Sequence, residues 1–209
     1  MYLARHGEST WNPTGRYQGR IDTELSELGQ QQAELLAARL SAVPLSAVYS
    51  SPLQRAHDTA YAIAVRHGLA VHEEEALTEM DHGQWCGLLK AEVEHHFGPM
   101  LQRWYEHPAQ VQMPGGESLV HVEERACAAL QRIVAAHPGG SVAVCTHDVV
   151  LKVVVAQVLG LGLDQFWSLR LDNGSLSVVD YTERGASLAA LNDTCHLGKF
   201  RSDISAQAL

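Results

Sequence analysis

The chain has 209 residues, 46% of them hydrophobic, and a formal net charge of -9, which is enough apolar material to bury a full core in a single domain over residues 1–209. That charge argues against the broad basic footprint of a nucleic-acid binder or of a protein held on an anionic membrane surface, and no run reaches the ~20 apolar residues of a membrane span, because Lys152 and Gln157 interrupt the richest one. Cys86, Cys127, Cys145 and Cys195 form no Cys-x-x-Cys pair and Met1 runs straight into Tyr2-Leu3-Ala4-Arg5-His6 without a signal-peptide core, so reduced thiols and a cytoplasmic location are expected.

Short β-type runs alternate with helical patterns along the chain. A strand over residues 2–5 is followed by a helix over about residues 28–40 and a strand at Ala47-Val48-Tyr49-Ser50. A helix then runs from Pro52 to Arg66, with a strand at residues 70–72, helical segments across about residues 89–106, a long helix over 118–136 and a strand at 141–146. Segments of a dozen residues or more between strands imply parallel pairing with helical crossovers. From Leu169 to Leu191 the pattern changes: Asp172-Asn173-Gly174 precedes alternating Leu176, Val178 and Tyr181, and Gly185 precedes Leu188-Ala189-Ala190-Leu191, as in a strand pair at an antiparallel edge. The expected fold is α/β, a three-layer sandwich whose mostly parallel central sheet has helices on both faces and an antiparallel edge strand. Edges of this kind commonly pair with a symmetry mate, so a homodimer is expected.

Ligands of open α/β sheets bind beyond the carboxyl ends of the strands. Two predicted strands end in histidine, Tyr2-Leu3-Ala4-Arg5-His6 and Val142-Ala143-Val144-Cys145-Thr146-His147, and if both are central and parallel the imidazoles meet at one rim. Gly7 after His6 lets backbone approach a ligand closely. Arg5 is adjacent, and Arg55 follows another strand in Ser50-Ser51-Pro52-Leu53-Gln54-Arg55-Ala56. Twelve Arg against three Lys favour planar forks that grip anions bidentately, so an acidic protein can still hold a locally positive pocket. A phosphomonoester carries close to two negative charges, and two forks with two imidazoles can surround its non-bridging oxygens. There is no aspartate-rich metal motif and no His-Glu-x-x-His pattern, and the neighbours His95 and His96 point apart on a helix, so neither a metal nor another cofactor is expected.

Four stretches, Arg5-His6-Gly7-Glu8-Ser9, Ser51-Pro52-Leu53-Gln54-Arg55-Ala56, Pro114-Gly115-Gly116-Glu117-Ser118 and Thr146-His147, occur in this order over essentially the whole chain and resemble the motifs of the histidine phosphatase (phosphoglycerate mutase-like) superfamily. The resemblance implies that His6 is the nucleophile and that Arg5, Arg55 and His147 bind the phosphoryl group, with Asn12 and Gln18 lining the same pocket. Glu79, in Thr78-Glu79-Met80-Asp81-His82, matches the family's proton donor, which protonates the leaving oxygen and then activates water. Two positions depart from the pattern. Cys86 stands where many relatives have Glu, and Asp148 follows His147 where Gly is common, so an altered pocket shape or rim charge is expected without loss of chemistry.

Within the superfamily, Asn12-Pro13-Thr14-Gly15-Arg16-Tyr17-Gln18-Gly19, Asp81-His82-Gly83 and the late Leu191-Asn192-Asp193-Thr194-Cys195-His196-Leu197-Gly198-Lys199-Phe200 are similar to the metal-independent phosphoserine phosphatases. By that likeness His82 approaches a substrate carboxylate, and residues 194–200, with His196, fold back over the pocket. The substrate expected is L-phosphoserine, a small-molecule phosphomonoester. The alternatives are a cofactor-dependent phosphoglycerate mutase, whose long insertion and basic substrate-binding pairs are missing after Glu79, an α-ribazole phosphatase, and a non-catalytic phosphate-ligand binding module.

Overall fold

The computed structural model describes residues 1–203, 205, 207 and 208. Its sheet is built from β1 (Tyr2–Arg5), β2 (Leu45–Ser50), β3 (Val71–Glu73), β4 (Ser141–Thr146), β5 (Leu176–Thr182) and β6 (Gly185–Asp193), in the spatial order β3-β2-β4-β1-β5-β6. The pairs β3-β2, β2-β4 and β4-β1 are parallel, while β5 runs antiparallel to β1 and β6 antiparallel to β5. The antiparallel part is therefore two strands wide. The expected strand at 70–72 lies one residue later, and the expected 47–50 strand begins two residues earlier, at Leu45.

The helices are α1 (Glu27–Leu40), α2 (Gln54–His67), α3 (Lys90–Glu106), α4 (Leu119–Ala136) and α5 (Asp148–Leu159). Side chains alternate across a strand, so consecutive residues of β4 feed opposite layers. Ala143 and Cys145 join Leu36, Leu40, Ala60 and Ile63 of α1 and α2 in one apolar cluster. Val142 and Val144 join Val122, Ile133, Val149 and Val153 of α4 and α5 in the other. Ser26 caps α1 by accepting from Gly29 N, and Ser118 caps α4 by accepting from His121 N, each satisfying an otherwise orphaned donor. Inside α3, Pro99 removes a backbone donor and Phe97 leaves helical geometry, at φ −132°, so this segment is two helices joined at a kink.

No sequence periodicity marks α5. Asp148 through Ala156 are all buried, so the helix lacks the polar stripe that a period would reveal, and its valines imitate a strand. Among the described residues, no helix is long and apolar enough to cross a membrane.

One close approach holds α1 against the strand that carries the first histidine. A Cβ on Gly7 would collide with the Gly29 carbonyl, and a Cβ on Gly29 with the Glu8 carbonyl oxygen. Both contacts are backbone to backbone and have no flexible end to yield. We expect Gly29→Ala to lower stability by about 3 kcal/mol despite the helix propensity it gains. Urea unfolding checks this, and a neutral or stabilising result would show that α1 can slide away from the β1 exit.

Candidate active site

Parallel pairing of β1 with β4 places Arg5 opposite Thr146, so the next residues, His6 and His147, stand side by side. Their ring centroids are 5.1 Å apart, edge to face, and His6 N donates to Thr146 O at 3.0 Å. From the other side of β4, Ser51 N donates to Cys145 O at 3.1 Å, which brings the turn after β2 and the first turn of α2, with Arg55, to the same rim.

His6 and His147 are both buried. Burial first, and then the charges of Arg55 and Arg5, hold the His6 imidazole well below its ordinary range, and burial with Arg55 does the same for His147. Both rings are therefore neutral near neutral pH. His6 Nδ1 lies 2.6 Å from Gly7 O. A carbonyl only accepts, so Nδ1 carries the proton and Nε2 keeps its lone pair. His147 Nε2 lies 2.7 Å from Ser51 Oγ. That hydroxyl also accepts from Leu53 N.

The two guanidinium groups are anchored mainly by carbonyls. Arg55 donates from Nη1 to Ile21 O and from Nη2 to Gly19 O, each at 2.9 Å, and burial lowers it to about 10, so it stays cationic near neutral pH. Arg5 donates from Nη1 to Leu171 O at 2.6 Å and from Nη2 to Gln207 Oε1 at 2.7 Å. Carbonyl anchors fix a cation without cancelling it. Glu79 is buried, and burial raises its carboxyl above the ordinary range, although Oε1 accepts from Met80 N at 2.8 Å. Its loop is held by Arg125, which reaches Ala76 O and Glu79 O and grips Glu117, while Glu117 accepts from Asp81 N.

Arg5, His6, Asn12, Gln18, Gly19, Arg55, Glu79, His82 and Ala208 line one small cleft, with a cavity of about 20 Å³, room for one water. Gln18 Oε1 accepts from Ser9 Oγ and Thr23 Oγ1, which leaves its amide nitrogen for the cleft. Asn12 Oδ1 accepts from Ser9 N. A far larger groove, about 1110 Å³, runs along the opposite edge past Met1, His137 and Tyr181. It holds none of these groups, so volume is a poor guide to the chemistry here.

His147 stands behind His6 and does not itself line the cleft, and His196 is not brought near it. Residues Cys195–Leu197 form a short 3-10 turn that buries Leu197, and His196 Nε2 donates to Gly174 O at 3.0 Å. Gln32 Nε2 then fastens Phe200 O and Ser202 Oγ, so the chain passes along α1, and among the described residues that follow, Gln207 and Ala208 reach the site. Asp148 is likewise not a rim charge. It is buried, with Oδ1 3.3 Å from Arg5 Nη1 and Oδ2 3.0 Å from Lys152 Nζ. Cys86 is half-buried, with Sγ 3.9 Å from Asp81 Oδ1. Sequence reasoning missed Asn173, whose Nδ2 donates to His6 O and Asn12 Oδ1 and whose Oδ1 accepts from Gln207 Nε2. Its Asn-Gly context reads only as a turn.

The model of the histidine phosphatase superfamily (branch 1) matches residues 1–194. The chain belongs to that superfamily. Phosphoserine phosphatase 1 of Hydrogenobacter thermophilus is 44% identical over 200 residues, covering 96% of this chain and 95% of that one. Bacillus stearothermophilus YhfR superposes with a TM-score of 0.91 at 33% identity, over 94% and 98% of the two chains. A mycobacterial glucosyl-3-phosphoglycerate phosphatase does so with a TM-score of 0.86 at 30% identity, over 93% and 98%. The protein is a phosphatase of this superfamily, among relatives that bear different substrate names.

Burial keeps His82 neutral, lowering it to about 4. Its native value lies below its unfolded one, so its contribution to stability is complete above about 6.5 and is lost as pH falls toward 4. We expect the stability difference between wild type and His82→Gln to shrink by about 1.4 kcal/mol per pH unit across that window. Urea titrations at stepped pH measure it, and a pH-independent difference would mean that native His82 takes up its proton as readily as in the unfolded chain.

Proposed function

We propose that the protein hydrolyses a small phosphomonoester, L-phosphoserine before others, through a phosphohistidine on His6 and without a metal ion. The observation that carries this reading is a set of buried nitrogens without protein partners on residues that line one cleft: Arg5 Nε, Arg55 Nε and His82 Nδ1. Unsatisfied buried donors are costly, and their convergence is explained by an acceptor-rich ligand.

In the proposed reaction, Nε2 of neutral His6 attacks phosphorus as the bond to the ester oxygen breaks, and protonated Glu79 gives its proton to the departing alkoxide. Arg5, Arg55 and His147 hold the equatorial oxygens, whose charge they meet in a site shielded from water. Water then attacks the phosphorus of the phosphohistidine. Glu79 takes the water's proton, and phosphate and free His6 are restored. A phosphoryl group needs more room than the cavity of about 20 Å³, and to use Arg5 Nη2 it must displace Gln207 Oε1. His82, neutral and with Nδ1 unpartnered, is placed to donate to a substrate carboxylate. The phosphoserine preference is supported by the identity with the Hydrogenobacter enzyme over nearly both full lengths.

The test is phosphate release in the presence of EDTA from L-phosphoserine, 3-phosphoglycerate, α-ribazole phosphate and an aryl phosphate, with mutase product from 3-phosphoglycerate scored in parallel. We expect a strong preference for phosphoserine, lost in His82→Ala. Flat hydrolysis would remove the substrate assignment and keep the mechanism, whereas mutase product without net phosphate would overturn the reaction class.

Glu79→Gln should cut phosphoserine turnover by about 10²–10⁴ while slowing aryl phosphate phosphorylation far less, because an aryl oxide leaves without a proton. An acid-labile phosphoenzyme should form in wild type and be absent in His6→Asn. Equal losses on both substrates in Glu79→Gln would remove the proton-donor role.

A further inference from the structure

Asp148 is unusual in sitting where a carboxylate opposes the purpose of the pocket. It begins α5 directly after His147, its side chain is 2% exposed, and it approaches Arg5 Nη1 to 3.3 Å. Behind it lies Lys152, 4% exposed and 3.0 Å from Asp148 Oδ2, its ammonium over the rings of Phe166 and Trp167 at 4.6 and 5.0 Å. Both Asp148 contacts are ion pairs without hydrogen-bond alignment, since neither carboxylate oxygen has a hydrogen-bond partner. What they transmit is charge more than position, and the position of Arg5 Nη1 is already set by Leu171 O.

We propose that Asp148 is an internal counter-anion of the phosphoryl pocket, acting through Arg5 to weaken the site's hold on free phosphate and itself restrained by Lys152. This rests on the reading of Arg5 as a phosphoryl ligand. A pocket with two guanidinium groups binds dianionic product as well as substrate, and tight product binding slows turnover without helping the chemical step. With Asp148 on the Nη1 side, the edge of Arg5 left for an anion is Nε with Nη2, the side-on fork that grips two oxygens, at part of its full charge. Lys152 draws the carboxylate the other way and limits how much of that charge is cancelled.

The geometry makes the two partners act with opposite sign. Removing Asp148 frees Arg5, while removing Lys152 leaves Asp148 wholly to Arg5. Asp148 also faces Glu79. The charges acting there are Asp148, Arg55 and Arg5, with Arg20 and Arg125 on the Glu79 carbonyl and neutral His6 and His82 in the same cleft. The carboxylate favours the protonated acid and the arginines oppose it.

The experiment compares intact wild type, Asp148→Asn, Lys152→Met, the double variant and Arg5→Ala. It reads inhibition by inorganic phosphate against aryl phosphate hydrolysis, and the pH dependence of single-turnover phosphorylation from an alkyl phosphate. Asp148→Asn should bind phosphate about fivefold to tenfold more tightly, lower KM and kcat together, and move the alkaline limb of phosphorylation to lower pH. Lys152→Met should weaken phosphate binding. A single variant that strands a buried charge can fail to fold. The double variant leaves no unpaired ammonium, keeps Arg5 on its carbonyl acceptors, and should still bind phosphate more tightly than wild type, with the limb moved to lower pH. Weaker phosphate binding in the Asp148 and double variants, or an unmoved limb, overturns the proposal, as does a change of the same sign in both single variants. Full activity in Arg5→Ala instead overturns the phosphoryl reading beneath it.

Discussion

The pairing of β1 with β4 is the constraint on which the rest of the molecule depends. Arg5 opposite Thr146 puts two chain reversals at the same height on adjacent strands, and each reversal begins with a histidine. A one-residue slip would send every side chain of the strand to the wrong layer, so the register that centres the two imidazoles is enforced by the whole core: Leu3 and Val144 on one face, Ala4 and Cys145 on the other. The geometry of the site is thus secured by apolar packing, and the polar groups need only be aimed.

Aiming is done largely with backbone carbonyls. Leu171 O, Ile21 O and Gly19 O hold the guanidinium groups and Gly7 O holds His6, which orients each group while leaving its charge or lone pair to the cleft. Carboxylates would orient as well but would neutralise. Where they do occur they are set apart: Glu117 serves Arg125 outside the cleft, Glu79 is driven toward its neutral form by burial, and Asp148 is shared with Lys152. The pocket therefore concentrates positive charge without a full complement of anions, an arrangement that is stable only because the arginines are tied to neutral oxygens.

What the sequence made legible follows from locality. His6, Arg55 and His147 each follow a strand whose pattern is visible within a dozen residues, while Glu79 stands out only through its short motif. The alternation of strands and helices could be read in the same way. α5 could not, because burial on all sides erases the stripe on which a period depends. Gln207 and Asn173 could not either, since their partners lie 202 residues away at Arg5 and 34 residues away at each other, and such a contact leaves no local pattern. The C-terminal segment was assigned to the pocket at His196, and the correction has a simple cause. Burying Leu197 and fastening Phe200 to Gln32 commits that stretch to α1, so several more residues are needed before the chain can reach the cleft.

That late arrival bears on how the proposed site would admit its ligand. Gln207 is bound to Arg5 and Asn173 by its two amide ends, and Asn173 in turn touches the His6 carbonyl, so one side chain occupies a donor of Arg5 that, on the proposed reading, a phosphate would claim. A neutral amide is well suited to this. It offers Arg5 an acceptor of modest strength, which a dianion can displace because charge-assisted hydrogen bonds are about twice as strong as neutral ones. A carboxylate at the same place would compete with substrate on equal terms. On the proposed reading, departing phosphate leaves behind a cation that the amide can cover again, so the exchange needs no charge of its own to reverse.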